Sequence, residues 1–118
     1  MKTCSWFAVG AAPGRVGISL AVPRGMPAGY RRYRALTPTR EILHMADGQW
    51  QGAYVELLGR LDARRVWDEL HQLTGGAEPV MLCFERDRCD CHRGLVARWF
   101  ERELGAEVAE LGEQRRLL

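Results

Sequence analysis

One stretch, from Pro79 to Arg102, constrains the fold more than any other part of this chain. Its near-continuous apolar run, Val80–Phe84, predicts a strand buried on both faces. A polar loop follows, and apolar residues at helical spacing then predict an amphipathic helix that starts at Cys91 and ends at Gly105. In open α/β sheets, ligands usually bind where a strand ends and a helix begins. The stretch therefore predicts both a fold class and a place for chemistry.

Similar patterns elsewhere predict further strands and helices. The predicted strands are Ser5–Gly10, Val16–Val22 and Glu107–Leu111, and the predicted helices begin at Pro38 after a Thr37 cap, span Gln51–Leu61, and run from an Asp62 cap to Leu73. Residues 24–36 read as irregular. This order predicts an α/β protein, a single domain over residues 1–118, with a small, mostly parallel sheet flanked by helices.

Length and charge exclude several classes of protein. A chain of 118 residues allows one domain, and its formal net charge of +2 is too small for a nucleic-acid coat protein. It has no run of about 18 apolar residues, so no membrane span is predicted. Met1–Gly10 lacks the apolar core of a secretory signal. We therefore expect a cytoplasmic protein whose thiols are mainly reduced.

Cys91, His92 and Arg93 crowd the predicted start of the last helix. With Asp90 as the N-cap, the free N–H groups and dipole of this helix favour an anion at Cys91. The anion is either a bound phosphate or carboxylate, held also by Arg93, or the Cys91 thiolate itself. His92 is a candidate to move a proton. The plainer interpretation is a half-buried cysteine beside a solvated arginine.

Glu85 ends the buried strand and is the candidate acid or base of the site, although a simple ion pair with Arg93 is an equal alternative. Cys83 points to the same side of the strand, and a buried structural thiol is its favoured interpretation. No metal site and no cofactor are predicted, because the candidate ligands lie too close together in sequence and adjacent Cys91 and His92 do not easily share one tetrahedral ion.

A basic segment supplies a second candidate surface. Residues 24–40 contain five arginines, two tyrosines and no acidic residue. Arginine interleaved with tyrosine suits phosphate contact and base stacking, but a solvated surface has the same pattern. If the second strand lies beside Val80–Phe84, this segment leaves the same end of the sheet as the Cys91 turn. Arg24, Tyr33 and Arg34 are then candidate anion-binding residues.

The motif Cys83-x-Glu85 followed by Cys91-His92-Arg93 resembles the signature of the domain-of-unknown-function 488 family. The likeness covers nearly the whole chain, and its upstream matches are Ile18-Ser19, Pro27, Tyr33-x-x-Leu36-x-Pro38, Tyr54 and Leu61-Asp62. It is strongest to the short branch, in which arginine often stands at the position of Leu20. The resemblance implies an α/β fold and a site built from the two motifs, and it implies no activity.

Three functions follow as hypotheses, and whether the protein is an enzyme is left open. The favoured one is binding of an anionic small molecule, a nucleotide or phosphorylated metabolite, with Arg93 holding the anion and Glu85, Cys91 and His92 as candidate catalytic residues. The second is a thiol-redox or sensor protein that uses Cys91 with Cys83 or Cys89. The third is a nucleic-acid-binding module that uses Arg31–Arg34. No membrane partner is predicted.

Overall fold

The computed structural model describes residues 1–87 and 91–112. In chain order the elements are β1 Lys2–Ser5, β2 Arg15–Gly17, β3 Arg31–Arg32, a 3₁₀ helix Arg34–Leu36, α1 Arg40–Leu43, α2 Gln49–Gly59, α3 Ala63–Leu73, β4 Val80–Cys83, α4 His92–Leu104 and β5 Ala109–Glu110. None of the helices in these two ranges is both long enough and apolar enough to cross a membrane. The extent of the domain over the whole chain stays a prediction.

The five strands form one sheet in the order β3-β2-β4-β1-β5, and every neighbouring pair is parallel. The predicted α/β class is confirmed, and the sheet is wholly rather than mostly parallel. Strand β4 lies at the centre, where all four of its residues are buried. Strand β2 does pair with β4, which was the condition for placing the basic segment and the Cys91 turn at one end of the sheet.

The two faces of the sheet are covered differently. One face carries the larger core, in which residues of α1 to α4 pack against Val16 and Met81. The other face carries a smaller core of Cys4, Trp6, Val9, Val80 and Leu82, to which no helix within residues 1–87 and 91–112 contributes a buried residue. The described helices therefore pack against the face that carries the larger core.

Local sequence explains where α3 begins and where α4 ends. The Asp62 side chain accepts a hydrogen bond from the Arg65 amide and starts α3, as predicted. Gly105 adopts a left-handed φ of 65° and ends α4. Cys91 is the N-cap of α4 and His92 its first residue, one position later than predicted, and the proposed cap Asp90 lies outside the described residues.

Several predicted boundaries are wrong. Strand β1 ends where the predicted strand Ser5–Gly10 begins, because Trp6 turns out of the sheet and lays its indole over Gly17. The second strand stops at Gly17 rather than at Val22, and the chain bends over residues 19–21.

The helix predicted from Pro38 instead starts at Arg40, because the Thr39 hydroxyl accepts the Ile42 amide. Helix α2 starts and ends two residues earlier than predicted. The two-residue β3 lies in a segment that read as irregular, and strands this short leave no period in a sequence.

Candidate functional site

The candidate site lies at the carboxyl ends of β2 and β4. These two strands are neighbours, but the chain leaves them in opposite directions: β2 leads to β3 at one edge of the sheet, and β4 leads through α4 to β5 at the other. The two connections therefore part between β2 and β4, which makes this a topological switch point, where open α/β sheets bind ligands.

A cavity of about 440 Å³ opens at this switch point. It is lined by the segment after β2, the segment after β4, the start of α4 and side chains of the helical layer, which are Ser19, Leu20, Ala21, Pro38, Leu43, Trp50, Cys83, Phe84, Glu85, Cys91 and His92. The lining is mostly apolar, with its polar and sulfur-bearing groups gathered at the sheet end. All three predicted catalytic residues, Glu85, Cys91 and His92, line it.

Cys83 and Cys91 form a disulfide in this cavity. Cys83 ends β4 and Cys91 caps α4, so the strand and the helix bring together two cysteines that are 8 residues apart. Both are buried. Cys4 is also buried and is a free thiol, and burial, with the negative charge of Glu110 second, raises its pKa. The expectation that the thiols are mainly reduced does not hold for Cys83 and Cys91 in this structure. Cys83 is buried, as its favoured interpretation required, but its sulfur is bonded to Cys91.

The two ring nitrogens of His92 face different partners, the Ile18 carbonyl oxygen and the Cys91 sulfur. Its Nε2 lies 2.6 Å from the Ile18 carbonyl oxygen, which only accepts, so Nε2 carries the proton and donates. Its Nδ1, 3.7 Å from Cys91 Sγ, is therefore a lone-pair acceptor. Burial lowers the pKa of His92 to about 4, since the bond to Ile18 opposes that effect only in part. The ring is neutral at neutral pH and faces the sulfur as an acceptor.

Arg93 does not face the cavity. Its side chain is fully buried, and all five of its N–H groups have acceptors. These are both carboxylate oxygens of Glu110, at 3.0 and 2.7 Å, the carbonyl oxygens of Glu85 and Arg86, at 2.6 and 3.0 Å, and Cys83 Sγ at 3.2 Å. No N–H remains for a ligand anion. The predicted direct contact between Arg93 and an anion stays a prediction, and this network counts against it.

Glu85 contributes to this network through its backbone, while its exposed side chain lies at the cavity wall. The alternative of a side-chain ion pair with Arg93 is not what the structure shows, because Arg93 pairs with Glu110 instead. The Glu85 carboxylate thus stands at the solvent side of the cavity, where a bound molecule would meet it. Its acid–base role stays a prediction.

The structure separates the three residues predicted from the basic segment. Arg34 lines a second cavity that shares Leu20 and Pro38 with the first, so it lies at the site's border. Tyr33 lines neither cavity; its hydroxyl donates to Glu69 at 3.2 Å, and burial together with the Glu69 charge raises its pKa to about 12. Arg24 is exposed and lines neither of these cavities.

The nucleic-acid hypothesis gains no support from the two tyrosines. Tyr30 packs edge-on against the Trp6 ring at 5.3 Å, and Tyr33 is tied to α3 through Glu69. Neither ring is presented as an open stacking platform. Arg32 donates to the Leu20 carbonyl oxygen at 2.7 Å and so braces the cavity wall.

Sequence reasoning missed Glu110 and Trp50. Glu110 lies on the edge strand β5, seventeen positions from Arg93, and no local pattern links the two. Trp50 lies at the start of α2 and lines the cavity, although its helical spacing marks it as a core residue. The Ile18 carbonyl that fixes the His92 ring was also beyond reach, since a backbone acceptor leaves no mark in a sequence.

The fold and the site together define a class: a parallel α/β protein with a cysteine pair and a neutral histidine at the switch point of its sheet. A family model matches residues 21–100, and its description is domain of unknown function DUF488. This chain belongs to that family, as the resemblance of its two motifs implied. Comparisons with curated proteins and with solved structures gave no match.

Proposed function

We propose that this protein carries out thiol–disulfide exchange with a small disulfide bound in the cavity, through Cys83 and Cys91. The observation that carries the proposal is the pairing of these two sulfurs in the wall of a cavity at the switch point. This is the redox alternative of the sequence hypotheses, with Cys83 rather than Cys89 as the second thiol. It takes precedence over simple anion binding because Arg93, the main predicted anion contact, has no N–H to spare.

Cys91 is the attacking thiol in this proposal. It caps a 13-residue helix, whose dipole and free N–H groups favour a thiolate. In the reduced protein its S–H group can donate to His92 Nδ1, which lies 3.7 Å away. Cys83 is the resolving thiol, and Arg93 Nη1 donates to its sulfur at 3.2 Å, which stabilises a thiolate there.

The exchange balances without another reactant. The Cys91 thiolate attacks one sulfur of a bound disulfide RSSR, forms a mixed disulfide and releases RS⁻. The Cys83 thiolate then attacks Cys91 Sγ, forms the Cys83–Cys91 bond and releases a second RS⁻. The two cysteine protons end on the two released thiols, so RSSR is reduced to two RSH while the protein dithiol is oxidised. A small thiol returns the protein to its dithiol form by the reverse steps.

The cavity favours a disulfide with an apolar body and an anionic group. Leu20, Leu43 and Trp50 supply apolar wall, and Arg34 lines the second cavity, which shares Leu20 and Pro38 with this one. Arg34 is exposed and forms no ion pair with any of residues 1–87 and 91–112. The anionic ligand of the sequence hypothesis is thereby retained as a property of the substrate.

The proposal is tested by mixing the reduced full-length protein with glutathione disulfide and following exchange by mass spectrometry. We expect two thiols to be lost per glutathione disulfide consumed, with Cys83 and Cys91 found in one cross-linked peptide. Cys91→Ser should stop the exchange, and Cys83→Ser should accumulate glutathione on Cys91. Cys4→Ser is the matched control and should exchange normally.

Two results would contradict the proposal. One is a reduced, folded protein that does not react with the disulfide. The other is exchange that survives Cys91→Ser and disappears on Cys89→Ser, which would move the chemistry to another thiol.

The anionic preference has a separate test. Arg34→Ala should slow exchange with anionic glutathione disulfide several-fold and leave exchange with cationic cystamine unchanged, while Arg24→Ala should change neither rate. Equal slowing by both substitutions would remove Arg34 from the substrate site and leave the thiol chemistry standing.

A further inference from the structure

We propose that the reduced protein binds one zinc-like divalent metal ion through Cys83 Sγ, Cys91 Sγ and His92 Nδ1. These three ligand atoms all lie within 4.8 Å of one another, and all three residues are buried. Two thiolates and an imidazole are ligands that zinc prefers. The inference requires only that the cysteine pair can be reduced, and it does not rest on exchange with a substrate.

The spacing of Cys91 and His92 suits a tetrahedral ion. With bonds of about 2.3 Å to sulfur and about 2.1 Å to nitrogen, tetrahedral ligand atoms lie about 3.6 Å apart. The observed distance from Cys91 Sγ to His92 Nδ1 is 3.7 Å. The sequence argument against a metal held that adjacent residues do not easily share one tetrahedral ion, and here the two ligand atoms lie at the distance such an ion would require.

The His92 ring is already set as a ligand. Nε2 donates to the Ile18 carbonyl oxygen at 2.6 Å, which leaves the Nδ1 lone pair toward the sulfurs. Metal-binding histidines nearly always donate their other ring N–H to an acceptor in this way, because that bond fixes the tautomer and the ring's orientation.

The two sulfurs can be metal ligands only after the disulfide is reduced. Two tetrahedral sulfur ligands lie about 3.8 Å apart. The Cα atoms of Cys83 and Cys91 are 7.1 Å apart, which leaves room for two separated sulfurs once the bond is reduced. The charges also balance, since two thiolates neutralise a dication while Arg93 is paired with Glu110.

The cavity supplies the open side of the site. Cys83, Cys91 and His92 all line it, so a bound ion would have three protein ligands and one position facing the cavity. Three protein ligands with an open fourth position are typical of catalytic rather than structural zinc. Oxidation to the disulfide removes two of the three ligands, so the metal-bound and disulfide forms exclude each other.

The test is a titration of the anaerobically reduced full-length protein with Co²⁺, a spectroscopic substitute for Zn²⁺. We expect one equivalent to bind with intense thiolate-to-cobalt absorption, and Zn²⁺ to displace it. The disulfide form of the same protein should show no such absorption. A reduced protein that is folded by circular dichroism and gives no charge-transfer band would overturn the inference.

Variants locate the ligands. Cys83→Ser and Cys91→Ser should each lose most of the absorption, whereas Cys4→Ser and Cys89→Ser should keep it. His92→Gln, which retains a donor for Ile18, should lower the affinity at least tenfold. Loss of the band in Cys89→Ser with retention in Cys91→Ser would place the metal elsewhere and overturn this assignment.

Glutathione disulfide exchange, measured on the same samples, keeps the two proposals apart. Exchange without cobalt binding would reject only the metal site. Cobalt binding without exchange would support the metal site and reject the proposed function.

Discussion

Arg93 is a guanidinium with no exposed surface, and the cost of burying it is offset by its five hydrogen bonds. Two of these go to the Glu110 carboxylate in a bidentate pair, the strongest arrangement open to arginine. The others hold the Glu85 and Arg86 carbonyls and the Cys83 sulfur. Arg93 therefore ties the edge strand, the loop after β4 and the Cys83 sulfur to α4.

Arg93→Ala should lower the free energy of unfolding by about 3–5 kcal/mol, because it leaves the Glu110 carboxylate and two carbonyls without this buried cation. Urea denaturation measures the change. Arg98→Ala is the matched control on the same helix; Arg98 is exposed, so its loss should cost less than about 0.5 kcal/mol. Equal effects would mean that the Arg93 network adds nothing beyond a solvated arginine.

His92 should make the disulfide form sensitive to acid. Its pKa is about 4 in the folded protein against 6.5 for the free group, so between these values the unfolded chain binds a proton that the folded one does not. This contribution to stability is fully present above pH 6.5 and is lost as the pH falls toward 4, by about 3 kcal/mol in all.

Urea denaturation of the oxidised protein from pH 7 to pH 4 measures this loss. His92→Gln removes the titrating ring and keeps a donor for Ile18, so its stability should fall less over the same range. Parallel curves for the two proteins would assign the acid sensitivity to other groups.

At the scale of elements, the parts with a strong period were predictable and the short ones were not. Helix α3 was recognisable from its Asp62 cap, and α4 from its apolar stripe and Gly105. The Val80–Phe84 run gave β4 to within one residue. Strand β1 was misplaced because the apolar residues after Ser5 belong to the loop that covers the second face of the sheet. A buried loop segment and a buried strand have the same apolar composition, so the sequence does not distinguish them.

Gly17 shows how closely this loop packs on β2. A Cβ atom there would lie 2.6 Å from Cζ2 of Trp6, whose indole N–H donates to the Ser19 hydroxyl at 2.9 Å. Gly17→Ala should therefore displace the indole and lower the free energy of unfolding by about 1–3 kcal/mol.

Gly52→Ala is the control for this substitution. Gly52 lies inside α2 with nothing within 4 Å of its Cβ position, so alanine should stabilise the protein by up to about 1 kcal/mol. Thermal unfolding of both variants tests this: the midpoint should fall for Gly17→Ala and rise for Gly52→Ala. Shifts of the same sign would contradict the packing argument.

At the scale of the molecule, the sheet order decides what becomes a site. The sequence placed Cys83, Glu85, Cys91 and His92 near one turn because they are close in the chain. It did not contain the strand order, so the meeting of the basic segment, residues 24–40, with the turn before Cys91 was only a conditional prediction. Because β2 pairs with β4, the segments that follow these two strands lie side by side and enclose the cavity. The same pairing brings the Ile18 carbonyl oxygen to the His92 ring.

The Cys83–Cys91 bond closes a short loop between β4 and α4, so its reduction should lower the free energy of unfolding of the whole domain. Loop-closure entropy for a separation of 8 residues gives a loss of about 2–3 kcal/mol in the free energy of unfolding. Denaturation with and without a phosphine reductant measures it. A protein with both Cys83→Ser and Cys91→Ser should resemble the reduced form and should not respond to the reductant. Equal stability of the oxidised and reduced proteins, with no metal added, would show that the bond does not restrain the unfolded chain.

A metal ion that binds only the folded, reduced protein adds stability by mass action. Zn²⁺ should therefore restore part of the lost free energy of unfolding in the reduced protein and none in the double variant.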